Sequence, residues 1–421
     1  MTKNSQAQCD TGCNTADQNT HVKTITLGCR FNYYESELER MRILAENPDQ
    51  DVVIINTCTV THEAERQSKQ AVRKAIRENP RAKVIVTGCA AKTSYEYFRD
   101  LDGVHKIIQN DEKTKFDAGT LQKSGRQLFE DRTRAFLQIQ NGCNHHCSYC
   151  IIPYTRGKSQ SLPIEFIVEQ IKYFCSVGIN EIVLSGIDIM SYGDDFQDKK
   201  SLADVMETII NQTEAQRLRI SSIDPNGIDD RLFALITQEK RIMPNLHLSI
   251  QSGDNDVLRK MRRRHTREDV IDLCNRILDA RSDFVFGSDF IVGFPSETDE
   301  CFGNTVKLVH EAHLSLLHVF PFSPRKNTVA AQMIQLPRTT INSRAKILRD
   351  VAQDALSLAM TQNIGQTRSC IIEKCDDGVS VGKTDNYLPV KVKSRHDAPA
   401  VVPCKLLSID DQDNVLLGEF V

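Results

Sequence analysis

From Val22 onward the apolar residues come in short unbroken runs, and the first three runs share one design. Residues 22–29 read VKTITLGC, 51–58 DVVIINTC and 82–89 AKVIVTGC, each rich in Val, Ile and Thr and each closing on a cysteine. Continuous apolar runs of this length predict strands buried on both faces, as in a parallel sheet. Helical periodicity follows the first two, in SELERMRILAEN at 36–47 and EAERQSKQAVRKAIREN at 63–79. A βαβ series results, and ligands of such a sheet bind outside the carboxyl ends of its strands. Cys29, Cys58 and Cys89 should therefore emerge on one edge, although roughly one βα unit separates each from the next.

The pattern also sets the outer limits of the domains. Residues 1–21 are polar and predict a disordered tail, in which Cys9 and Cys13 read as incidental. Residues 104–132 read as a mixed connector. Beyond it, apolar runs at 135–140, 181–186, 217–223, 245–251, 285–294 and 316–322 alternate with helical stretches. In IEFIVEQIKYFCSVG, Ile164, Ile167, Ile171, Phe174 and Val177 fall near one face, and REDVIDLCNRILDA at 267–280 repeats the period. Six such units suit a partial (β/α)6 barrel with its chemistry at the strand C-termini. A helical connector at 341–362 follows. The last segment, 363–421, changes to short β-like runs that suit a small antiparallel barrel of the oligonucleotide-binding kind. The expected fold class is thus α/β multidomain: a parallel-sheet domain at 22–132, a partial barrel at 133–340 and a terminal β-barrel.

Composition adds three constraints. A chain of 421 residues is long enough for more than one core. It contains no apolar run of membrane-spanning length and begins without the apolar stretch of a signal peptide, so a cytoplasmic protein without a membrane partner is expected. Fourteen cysteines then argue for metal ligation or redox chemistry over disulfides. With a net charge of −3, nucleic acid would have to be held by local patches such as 66–83 or the RKMRRRHTR run at 259–267, which read equally well as solvated helix faces.

The densest chemistry lies at 141–158, NGCNHHCSYCIIPYTRGK, where Cys143, Cys147 and Cys150 form a C-x3-C-x2-C triplet. Soft sulfur ligands select iron–sulfur clusters, zinc or copper(I). Three thiolates on a cubane cluster leave one iron open to a substrate or cofactor, whereas a structural zinc would take His145 or His146 as its fourth ligand.

The triplet, with Tyr149 before its last cysteine, resembles the cluster loop of the radical S-adenosylmethionine enzymes. LGCRFNYYESE, INTCTVTHEAERQSKQAVRK and VTGCAAK resemble the N-terminal domain of the methylthiotransferases, and the likeness extends from about Val22 to Val421. It implies two 4Fe-4S clusters, one on Cys143, Cys147 and Cys150 that cleaves S-adenosylmethionine to a 5'-deoxyadenosyl radical, and an auxiliary one on Cys29, Cys58 and Cys89 that carries sulfur. It implies that Asn32 and Asn56 belong to the auxiliary motifs. It also implies that Ser185 and Gly186 lie near the amino group of S-adenosylmethionine and that Ser249, Gln251 and Asp289 line the barrel interior. After a strand, residues of these types also serve as caps and turns. The terminal barrel resembles a TRAM domain, with Cys370, Cys375 and Cys404 as buried free cysteines.

Substrate is a finer question. Cys29-Arg30-Phe31-Asn32, SYCIIPYTRGKS and TDNYLPVKV resemble the branch acting on N6-threonylcarbamoyladenosine-37. The branches acting on isopentenyladenosine-37 and on a ribosomal protein aspartate remain as alternatives. The partners implied are the anticodon stem-loop of tRNA, an electron donor such as flavodoxin or ferredoxin, and an unspecified sulfur donor. The run Arg156, Gly157 and Lys158 has Gln160 where the family more often has arginine, which argues against this loop as a strong RNA contact.

Overall fold

The computed structural model describes residues 21–46, 49–110, 133–396 and 400–421, apart from the side chain of Arg30. Nearly all of the expected tail, with Cys9 and Cys13, and residues 111–132 of the expected connector lie outside the described residues. The chain forms two compact units. The first comprises residues up to Leu128 together with Gln140–Leu162 and Ser323–Ala331, and the second Phe129–Ile139, Pro163–Phe322 and Gln332–Val421. The triplet loop thus belongs with the N-terminal sheet, whereas the sequence places it at the head of the partial barrel.

In the first unit, β1 (Val22–Thr26), β2 (Val52–Thr57), β3 (Lys83–Gly88) and β4 (Val104–Ile108) form a parallel sheet in the order β1-β2-β3-β4. The expected connector therefore opens with a fourth strand. Every residue of β2 is buried. Val53 and Ile55 pack with Val72, Ala75 and Phe98, while Val52 and Ile54 pack with Ile43, so the sheet is covered on both faces and needs apolar residues at every position. The first helix, Arg30–Glu46, starts directly after Cys29, earlier than its periodicity suggests. The second, His62–Glu78, is capped by Thr61, whose hydroxyl accepts from the Ala64 amide at 3.1 Å.

In the second unit, β5 (Arg134–Asn141) neighbours β7 (Glu181–Gly186), which pairs in parallel with β8 (Leu218–Ile220). The short β6 (Gln160–Ser161) pairs with the last two residues of β5 inside the first unit. β9 (Asn245–Gln251), β10 (Val285–Val292) and β11 (Leu314–Pro321) form a second parallel set, joined to the first by the Ile223–Leu248 bridge. Together they make the six-stranded partial barrel. Alternation along β9 buries Leu246, Leu248 and Ile250 on one face and leaves His247, Ser249 and Gln251 partly exposed on the other. In helix Ile164–Ser176, Ile167, Ile171 and Phe174 are buried as the period predicts, but Val177 is exposed because the helix stops before it.

Helix Arg338–Asn363 runs longer than the expected connector and leads into a closed barrel of β12 (Thr367–Asp376), β13 (Val379–Thr384), β14 (Pro389–Val392), β15 (Ala400–Asp410) and β16 (Val415–Phe420). Cys370 and Cys404 are buried in its core with Ile372, Val390 and Leu406, and Cys375 is half-buried. The barrel is fastened to the start of β7. Fully buried Glu181 accepts from Arg134 Nε at 2.5 Å, Arg219 Nε at 3.0 Å and Arg217 Nε at 3.2 Å. The same arginines donate to Glu373, to the Asp385 carbonyl and to Ser369 of the terminal segment.

Candidate functional site

Each strand-end cysteine is positioned by its sheet. Cys58 and Cys89 come directly after β2 and β3, and Cys89 opens the short helix Cys89–Thr93. Cys29 follows Gly28, whose φ of +96° an L side chain adopts only with strain. A Cβ on Gly28 would lie 2.7 Å from Cys58 Cβ and 2.8 Å from its Sγ, so this glycine lets the ends of β1 and β2 close together. Gly88 before Cys89 and Gly142 before Cys143 repeat the device with φ of +94° and +72°. The Gly-Cys pairs were visible in the sequence, yet only the backbone shows what the glycines do. Gly28→Ala is expected to destabilise the fold by about 1–3 kcal/mol through strain and overpacking. It should also lower the iron content of purified protein, measured by elemental analysis beside a thermal melt.

A polar shell surrounds these thiols. Buried Asn32 donates from Nδ2 to the Leu27 carbonyl at 2.7 Å, and its Oδ1 lies 3.8 Å from Cys29 Sγ. Asn56 donates to the Asn32 carbonyl at 2.8 Å, and Asn110 Nδ2 lies 3.8 Å from Cys89 Sγ. The Oδ1 atoms of Asn56 and Asn110 are buried with no hydrogen-bond partner. Burial pushes the Cys58 thiol up to about 12, with Cys89 and Cys29 adding to the shift. A thiolate there needs a positive partner, which a bound metal centre provides.

Arg156 links the triplet loop to this shell. Its guanidinium donates to Glu35 Oε1 at 2.8 Å and to Asn32 Oδ1 at 2.7 Å, and it lies 4.4 Å from the centre of the Phe31 ring. Burial opposes its charge, but Glu35 and the nearby Cys89 and Cys29 hold its pKa above the usual arginine value. Buried and neutralised, Arg156 is not a phosphate contact. Cys143, Cys147 and Cys150 are half-buried. The Cys143 amide donates to Gly157 O at 3.1 Å, and the Ala330 amide donates to Ser148 O at 2.8 Å. The His145 amide points at Cys143 Sγ, 3.3 Å away, and Tyr149 is half-buried beside Cys150 in the chain.

In the second unit Ser185 and Gly186 end β7 and are half-buried. Ser249 and Gln251 share the open face of β9, and Gln251 carries a φ of +77°, a strained value for a residue other than glycine. Asp289 is engaged by two imidazoles, His247 Nε2 at 2.9 Å and His318 Nδ1 at 3.0 Å. Burial opposes its charge, and the imidazoles hold its carboxyl below the usual carboxylate range. Neither histidine was singled out in the sequence, although period-two alternation puts His247 on the face of Ser249 and Gln251. The basic run at 259–267 is partly internal. Arg263 donates to Asp224 and the Ser249 carbonyl, Arg267 to the Gly253 and Asn304 carbonyls, and exposed Arg264 also pairs with Asp224. At 66–83, Arg66, Lys69 and Lys74 pair with Glu63, Glu65 and Glu78 on their own helix.

Known proteins resemble the chain over most of its length. The Radical SAM superfamily model matches residues 137–309, and the model of uncharacterized protein family UPF0004 matches residues 21–109. The chain is 40% identical to threonylcarbamoyladenosine tRNA methylthiotransferase MtaB of Rickettsia prowazekii, over 93% of this chain and 96% of that protein. It is 34% identical to the MtaB of Bacillus subtilis, over 94% and 95%. A tRNA-2-methylthio-N(6)-dimethylallyladenosine synthase of Ehrlichia canis is 30% identical, over 86% and 88%. Matched over most of its length at these identities, the chain belongs to the radical SAM methylthiotransferase family, in the branch of the threonylcarbamoyladenosine tRNA methylthiotransferases.

Proposed function

We propose that this protein introduces sulfur at C2 of N6-threonylcarbamoyladenosine-37 in tRNA and methylates it, giving 2-methylthio-N6-threonylcarbamoyladenosine. The observation that carries this reading is the likeness to MtaB proteins, up to 40% identity over 93% of the chain. In this reading Cys143, Cys147 and Cys150 hold the 4Fe-4S cluster that binds S-adenosylmethionine, and Cys29, Cys58 and Cys89 hold the auxiliary cluster. When bound, the clusters and S-adenosylmethionine supply the radical, sulfur-transfer and methyl-transfer chemistry.

The chain's own residues position and exclude. Gly28 leaves room for Cys58, Asn32 and Asn110 set the polar surroundings of Cys29 and Cys89, and Arg156 balances thiolate charge within a buried shell. In this reading Ser185, Gly186, Ser249, Gln251 and Asp289 take part in binding S-adenosylmethionine, and Tyr149, before the last cysteine of the triplet, is a further cofactor-binding residue. The terminal β-barrel, TRAM-like in form, takes the tRNA, and a flavodoxin or ferredoxin delivers the electron.

Digestion of total tRNA from a gene-deletion strain to nucleosides, followed by mass spectrometry, tests the proposal. The 2-methylthio form should disappear and plain N6-threonylcarbamoyladenosine accumulate, with rescue by wild type and none by Cys147→Ala. Unchanged threonylcarbamoyl nucleosides with a shift in the isopentenyladenosine pair would transfer the reading to the alternative tRNA substrate. If neither pair moves, a ribosomal protein aspartate becomes the target to assay.

A further inference from the structure

The sheet of the second unit gathers His247, Asp289 and His318, whose ligand atoms all lie within 4.8 Å of one another. We propose that these three residues bind a single divalent transition-metal ion, distinct from both sets of cluster cysteines.

The geometry comes from strand register. Asp289 on β10 stands opposite His318 on β11, and His247 on β9 stands opposite Gly287, one same-face step along β10 from Asp289. Three neighbouring strands thus each present one ligand to the same face. Gly287 clears the space: a Cβ there would fall 2.6 Å from His247 Nδ1 and 2.9 Å from the Leu316 carbonyl. The two imidazole rings lie 4.9 Å apart at a tilt of 35°, so neither stacks flat across the other's nitrogen.

The manner of convergence suits an ion. His247 Nε2 and His318 Nδ1 approach the same oxygen, Oδ1, at 2.9 and 3.0 Å. Both rings thus turn a nitrogen to one carboxylate oxygen, the convergence that ligands of a single ion also require. A metal with nitrogen and oxygen ligands at about 2.1 Å holds adjacent ligand atoms about 3.0–3.4 Å apart, so the two nitrogen–oxygen spacings need open only slightly to admit one. Two imidazoles and one carboxylate suit zinc, iron(II) or nickel, and three protein ligands leave positions open for water or an oxygen ligand. His318 is 53% exposed at its side chain, so an ion has a path in from solvent.

The test uses full-length protein with both clusters reconstituted, so that the cluster cysteines are already committed. After dialysis against buffered zinc, metal content is measured for wild type, His247→Gln, Asp289→Asn, His318→Ala and the control His310→Ala, with circular dichroism and iron content monitoring the fold. The expected result is one zinc per chain in wild type and control, at least about tenfold weaker binding in each of the three ligand variants, and unchanged iron. X-ray absorption at the zinc edge should show nitrogen and oxygen neighbours only. Equal zinc in wild type and His318→Ala, or sulfur in the zinc shell, would overturn the proposal. His318→Ala carries the decision because its exposed position lets the fold tolerate the change.

Discussion

Cys147→Ala is expected to abolish both methylthiolation of tRNA and reductive cleavage of S-adenosylmethionine, whereas Cys89→Ala abolishes methylthiolation and leaves the cleavage in place. The two cysteines occupy different settings in the first unit. Cys147 lies half-buried in the loop that follows β5, while Cys89 is buried after β3 beside Ala90 and Ala91. Replacing a buried cysteine by alanine among such small neighbours removes a ligand with little disturbance of packing, so the loss reads as chemistry. The drop in product should exceed about a hundredfold in both, since even partners outside the ligand shell cost up to that much at metal sites. Iron per chain should fall by roughly half in each, one 4Fe-4S cluster being lost. The assay is 5'-deoxyadenosine formation under reducing conditions, read beside nucleoside analysis. Persistent cleavage by Cys147→Ala would show that the assignment of the cleaving cluster to the triplet is wrong.

Most of the layout could be read from local pattern, because strands buried on two faces leave unbroken apolar runs and amphipathic helices leave a 3.6-residue period. β1 to β3 and the helix Arg267–Ala280 appear where those patterns put them. What escaped depends on contacts distant in sequence. β4 has only one fully buried residue, Ile108, so its run does not declare itself as a core strand. The grouping of the triplet loop with the N-terminal sheet rests on pairs such as Arg156 with Glu35 and Arg325 with Thr59 and Glu65, which no local period encodes. The same holds for 259–267: its charges read as a surface patch, but Arg263 and Arg267 spend their donors on internal carbonyls. The cysteines announced themselves by spacing. The His247, Asp289 and His318 group did not, because its members lie on three strands and meet only through register.

Glu181→Ala should be the most destabilising substitution outside the cysteine sites. Glu181 is the shared anion of Arg134, Arg217 and Arg219, all with side chains less than one-tenth exposed. Tyr387 closes the group, its ring 4.7 Å from the Arg219 guanidinium and 5.5 Å from that of Arg134. Removing one partner of a buried ion pair costs about 3–5 kcal/mol because the remaining charge cannot return to water, and here several charges are left behind. The loss should appear in denaturant unfolding of the second unit. Since Arg134 also holds Glu373, and Arg219 the Asp385 carbonyl, limited proteolysis should release the terminal barrel sooner. The pH dependence gives an independent check. Burial raises the Glu181 pKa, but Arg219, Arg134 and Arg217 outweigh it and hold the carboxyl well below the usual range. Such a group stabilises fully above its unfolded pKa of about 4.3, and the contribution fades as pH falls from there towards the folded value. Glu181→Gln should therefore trail wild type most at neutral pH, with the gap narrowing below about pH 4.3. A gap constant down to strong acid would mean that Glu181 acts through packing rather than charge.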